Sequence, residues 1–166
     1  MLTNLWKRKN FIDPRRLTSP SRADIWVRFE FLQLYELWRS KYPDEDSSIF
    51  IEGATNEIYP RFISDHRRTP AIPLEPMSAM KGFIWLYDKI NKNRWKDIDP
   101  ILVRKETTGF TLIDGAHRLA IALFLRLEEI PVKFVQSNDN PLDYSAFLSK
   151  HYNYPQERTL YIKYLI

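Results

Sequence analysis

Cysteine is missing from all 166 residues. Its absence excludes a disulfide scaffold, a thiolate metal site and a thiol nucleophile. Glycine is scarce, at four residues, so each one marks a backbone position that needs explaining. No apolar run approaches the roughly 18 residues that a membrane span requires. The amino-terminal "MLTNLWKRKNF" carries positive charge without a following apolar stretch and does not read as a signal peptide. These absences lead to the expectation of a cytoplasmic protein.

What is present fits one domain with a real core and a small appendage. Hydrophobic residues make up 44% and charged residues 28%, the balance of an ordinary globular chain. Five Trp, nine Tyr and ten Phe make aromatic packing prominent. The formal charge is +4 and the isoelectric point near 9.2, which suits anionic ligands. No dense basic block accompanies that charge, so it argues only weakly for nucleic acid.

Three textures follow one another along the chain. Residues 20–42, "PSRADIWVRFEFLQLYELWRSKY", predict an aromatic-rich helix with Ile25, Phe29, Leu32 and Leu37 on one stripe. Ser21 and Asp24 have the spacing of a capping box. Residues 49–72 are broken by Gly53, Pro60 and Pro70 and predict loops with short helix or strand fragments. His66, Arg67 and Arg68 form a small basic cluster there, read first as a solvated loop.

Residues 71–136 are organised best. "AIPLE" is a strand candidate, and Pro76 opens a helix whose apolar face holds Met77, Met80, Phe83, Ile84 and Tyr87. "DPILVRK" and "FTLID" predict two strands joined through "ETTG". A further helix and the strand "IPVKFV" follow. The order strand, helix, strand, strand, helix, strand defines an α+β fold: a small mixed sheet with packed helices. The expected organisation is an N-terminal helical extension at 1–70, a core at 71–140 and a helical tail at 141–166.

The junction "LIDGAHRLAIALF" concentrates chemistry. A strand that enters a helix through Gly115 leaves unpaired N–H groups and a positive dipole end at one spot, which favours an anion. Arg118 adds a fork of donors, and His117 a directional one. Asp114 suits either a helix cap or a magnesium ion held against a phosphate. Strand–Asp–Gly–helix junctions also occur for structural reasons alone, with Arg118 pairing only with Asp114, so spacing leaves both readings open.

"DGAHRLAIA" resembles the Gly-x-His-Arg box of the ParB/sulfiredoxin superfamily, whose members place nucleotide phosphates on this helix start. The resemblance spans about residues 71–140, through "IPLEPMSAMKGF", "DPILVRK" and "LEEIPVKFVQS". Ala116 stands where sulfiredoxins carry their catalytic cysteine, so sulfinic-acid repair is excluded. With about 30 residues past the closing strand, the DNA-binding half of a partition protein is not expected here. The Asp-Gly-His-His-Arg box of free serine kinases is matched at Asp114, Gly115, His117 and Arg118 and departs at Ala116.

That resemblance implies a nucleotide-dependent kinase that phosphorylates a hydroxyl of a metabolite or glycan. It implies Glu75, Asp114 and His117 as catalytic residues; outside the resemblance, Glu52 beside Gly53 is another carboxylate that could serve if Glu75 faces away. Gly115, Ala116, His117, Arg118 and Lys81 would hold the phosphates of ATP or ADP, and Asp114 would ligate Mg2+. Arg22, Arg67 and Arg68 are the candidates for substrate contact. The competing expectation is a ParB-like nucleotide- or nucleic-acid-binding module without chemistry, with aromatics available for base stacking.

Overall fold

The computed structural model describes residues 10–19, 21–66 and 75–151. The elements in chain order are β1 (Asn10–Ile12), a 3-10 turn (Pro14–Leu17), α1 (Ala23–Lys41), α2 (Ser47–Gly53) and α3 (Ile58–Asp65). Then come α4 (Pro76–Asn93), β2 (Ile101–Glu106), β3 (Gly109–Asp114), α5 (Ala116–Phe124), β4 (Ile130–Phe134) and α6 (Ser145–His151). The protein is α+β, with a four-stranded mixed sheet in the order β1-β4-β2-β3.

The hairpin predicted around "ETTG" forms, with Glu106 opposite Gly109 and β2 antiparallel to β3. Gly109 turns the chain at φ +151°, a value L side chains rarely adopt. A register shift between Leu102 and Val103 ends the regular pairing near the end of β3. β4 runs parallel to β2, with Ile101 beside Val132. The strand expected at "AIPLE" falls mostly on 71–74, outside the described residues.

The amino-terminal segment does more than add helices. β1 pairs antiparallel with β4 and supplies an edge of the sheet, placing Ile12 opposite Ile130. Next, Asp13 caps the 3-10 turn by accepting from the Arg15 amide at 2.9 Å. The chain then reaches α1, which packs along α5, with the Phe29 and Phe124 rings 5.4 Å apart.

Phe31 on α1 is fully buried and joins three helices: its ring lies 5.5 Å from Phe50, 4.9 Å from Tyr59 and 5.7 Å from Phe83. Ile25, Phe29 and Leu32 of the expected stripe are buried, but Leu37 is 69% exposed. The reason is angular, since five residues past Leu32 is about 140° round a helix. On α4, Met80, Phe83, Ile84 and Tyr87 face the core, whereas Met77 stays in the exposed first turn.

The capping box is also corrected. Ser21 Oγ sits 2.7 Å from Ser19 Oγ, and Arg22 is the N-cap of α1 without capping it through its side chain. Asp24 is drawn instead to two arginines and is buried. Among the described residues no helix is long and apolar enough to cross a membrane.

Candidate functional site

The site begins where β3 hands over to α5. Gly115 takes φ +111°, and a Cβ there would lie 3.0 Å from Ile101 Cγ1 and 3.2 Å from Cγ2. Both the backbone angle and the close approach of β2 therefore demand glycine. Gly115 has no side chain to cap α5, whose first turn closes through Leu119 N–H donating to Gly115 O at 2.8 Å. The N-cap residue thus offers no side chain to the positive end of the helix dipole.

Asp114 does not act as the cap. Its Oδ2 accepts from Arg118 Nη2 at 2.8 Å, and its side chain is 58% exposed. Arg118 is more enclosed and donates through Nη1 to Asp99 O at 2.8 Å and Pro100 O at 2.9 Å. Arg118 thus anchors the entry to β2 while it orients Asp114. One oxygen of Asp114 remains outside that pair. Among the described residues no three His, Cys, Asp or Glu side chains gather as a metal cluster. A single outward carboxylate nevertheless suits Mg2+, which commonly takes one or two carboxylates and fills its shell with phosphate oxygens and water.

His117, one turn into the site, is half-buried against two rings. Phe83 lies 4.9 Å from it edge-on, and Tyr59 at 5.9 Å in a T-shaped arrangement. The Tyr59 hydroxyl and His117 Nε2 are 2.7 Å apart, with donor and acceptor set by the imidazole tautomer. Burial pushes the Tyr59 phenol up to about 12, against the opposing pull of Arg28. Tyr59 is therefore neutral at physiological pH and able to donate or accept.

Behind Tyr59 lies a buried trio of charges. Arg22 grips Asp24 with both prongs, Nε to Oδ1 and Nη2 to Oδ2, each at 2.8 Å. Arg22 Nη1 also reaches Leu112 O on β3 at 3.3 Å. Arg28 donates from Nη1 to Asp24 O at 2.8 Å and to Oδ2 at 3.3 Å. Its guanidinium lies over the rings of Tyr59 and Phe62, at 5.8 and 5.3 Å. Arg22, expected to contact substrate, thus spends its fork on Asp24 and β3.

The remaining candidates are spread out. Glu75 is exposed at the N-cap of α4 and makes no capping bond through its side chain. Eight helical residues place it ~12 Å along the axis from Phe83, so it does not share His117's immediate contacts. Lys81 is exposed on α4, with the Asp46 carboxylate as an electrostatic neighbour. Glu52 is exposed on α2. Arg67 and Arg68 lie outside the described residues. His66, the third member of their cluster, is no freely solvated loop residue: its ring stacks on Phe62 at 4.4 Å and its Nδ1 is 3.0 Å from Phe62 O.

The structure therefore joins Asp114, Gly115, Ala116, His117 and Arg118 with two residues the sequence reading passed over, Tyr59 and Arg28. Tyr59 lies 58 positions from His117 and offers no local signal of that pairing. Arg28 did offer one: it interrupts the apolar run "IWVRFEF" between Val27 and Phe29, both buried. The chain matches no protein-family model, and neither the curated proteins nor the solved structures compared with it offer a match.

Proposed function

We propose that this chain is a nucleotide-dependent phosphotransferase of the ParB/sulfiredoxin kind, acting on an alcohol acceptor. The observation that carries the reading is the β3–Gly115–α5 junction: a left-handed glycine, a helix start with no side-chain cap, and Asp114 held outward by Arg118. Amides at the start of α5 hold the nucleotide phosphates, as helix N-termini hold anions generally. Asp114 offers its open oxygen to Mg2+, which when bound neutralises developing phosphate charge. His117, steadied by Tyr59, donates toward the transferring group. Arg118 acts chiefly by keeping Asp114 in place.

Glu75 takes the proton of an acceptor hydroxyl lying between the starts of α4 and α5. The test is to incubate the full chain with labelled ATP or ADP, Mg2+ and pooled hydroxylated metabolites and glycans. Magnesium-dependent transfer of label to a pool member is the expected result. Absence of any nucleotide binding removes the reading.

A second reading, binding of nucleotide or nucleic acid without transfer, is favoured by a separate patch. The Arg16 guanidinium lies 4.7 Å over the Phe110 ring, which stacks at 5.9 Å on Phe134, itself 40% exposed. Cation and ring together are the elements of a base-stacking platform. Tight binding without transfer, falling steeply with salt, would favour it.

A further inference from the structure

Arg28 keeps binding capacity after its structural partners are counted. Its side chain is only 8% exposed. Both of its hydrogen bonds leave from Nη1 and end on Asp24. Nε is buried and has no hydrogen-bond partner. The unused donors therefore form the Nε–Nη2 edge, the side of a guanidinium that grips a carboxylate or phosphate with two parallel bonds.

Charge counting points the same way. Asp24 is already held by both prongs of Arg22, so two buried guanidinium groups share one carboxylate. The trio carries a net charge of +1. Burial pushes the Arg28 guanidinium downward, while Asp24 pulls it back up. An arginine does not escape by losing its proton, as a buried lysine does. The faces of Tyr59 and Phe62 offset only part of that cost. An anion on the unpaired Nε–Nη2 edge would offset more of it.

Tyr59 links Arg28 to the start of α5. Its ring lies against Arg28, and its hydroxyl touches His117 in the first turn of α5. Arg28 and the first turn of α5 thus flank one side chain. We infer that Arg28 forms a second anion subsite beside the nucleotide subsite, and that it receives an oxyanion, a phosphate or carboxylate, carried by the acceptor. The inference rests on the phosphotransferase reading and narrows it: the acceptor is an anionic hydroxylated molecule rather than a neutral glycan.

The experiment uses the full chain, with inorganic phosphate and acetate as separate probes. Each is titrated alone and with a non-hydrolysable ATP analogue plus Mg2+, while the Nε–H signal of Arg28 is followed by NMR. At least one probe should shift that signal saturably, and the shift should persist with the analogue bound. A phosphate-only response identifies a phosphorylated acceptor, and an acetate response a carboxylated one. Arg28→Met should weaken binding about tenfold or more, and Arg28→Lys, which keeps the charge without the fork, by less. An Nε–H signal unmoved in the wild-type chain overturns the inference whether or not the variants fold. Full displacement of the anion by the analogue, or unaltered binding by a folded Arg28→Met, overturns it as well. If the probe shifts the signal but the analogue never binds, the nucleotide reading fails while the anion subsite stands.

Discussion

The Tyr59 hydroxyl and His117 Nε2 lie 2.7 Å apart, joining α3 to the first turn of α5 across 58 positions of sequence. That bond couples the protonation of the imidazole to the tyrosine hydroxyl, which either donates to Nε2 or accepts from it. Tyr59→Phe keeps the ring that packs on Phe31 and Phe83 and deletes only the hydroxyl. The expected loss of stability is ~0.5–1.5 kcal/mol, measured by denaturant unfolding. The His117 tautomer, read by nitrogen NMR, should shift as well. An unchanged imidazole spectrum would refute the pairing.

Tyr59 also gives a signed pH dependence. Its folded value, about 12, exceeds its ordinary value of 10.0, so the folded state holds the phenolic proton more tightly than the unfolded state. The associated stability is fully present below the unfolded value and is lost as pH rises from about 10 through 12. The loss approaches roughly 1.4 kcal/mol for each unit of difference. Unfolding curves across that alkaline window should steepen in their pH dependence for wild type relative to Tyr59→Phe. Equal slopes would contradict the burial of this phenol.

Gly115→Ala tests the junction itself. The positive φ alone costs ~1–2 kcal/mol for an L side chain, and the Cβ meets Ile101 at 3.0 Å besides. A loss of unfolding free energy of at least that size, from denaturant curves, is expected, together with loss of nucleotide affinity. Gly53 is the control, because a Cβ there meets nothing within 4 Å.

Asp24→Asn leaves two buried guanidinium groups without their shared carboxylate and is expected to cost ~3–5 kcal/mol. Leu37→Ala, at a side chain 69% exposed, should stay within ~0.5 kcal/mol of wild type. A smaller cost for Asp24→Asn than for Leu37→Ala, measured by chemical unfolding, would show that the trio is solvated rather than buried.

The fold was legible where residues signal through their near neighbours. The hairpin from 101 to 114 announced itself through two short β-rich runs around "ETTG", and Pro76 marked the start of α4. β1 did not, because three residues are too few for a period. The junction at Gly115 was readable because the need for a left-handed glycine is local. The Arg22–Asp24–Arg28 trio was not: its spacing imitates helix capping and surface pairing, and only tertiary packing reveals its burial. Tyr59 was invisible for the same reason, since nothing in its own neighbourhood encodes a partner on α5.

Glu75 carries the chemical part of the proposal. Replacing a general base typically removes 10²- to 10⁴-fold of rate, so Glu75→Gln should lower turnover by about that factor with little change in nucleotide affinity. Equal turnover would transfer the role to another carboxylate, Glu52 being the candidate on α2.

The most direct test concerns the start of α5. Backbone amide signals should be followed by NMR as ATP and Mg2+ are added to the full chain. The account predicts that the largest shifts fall on Gly115, Ala116, His117 and Arg118, and that they shrink when Mg2+ is withheld. Saturating nucleotide that leaves these four amides unmoved would contradict it.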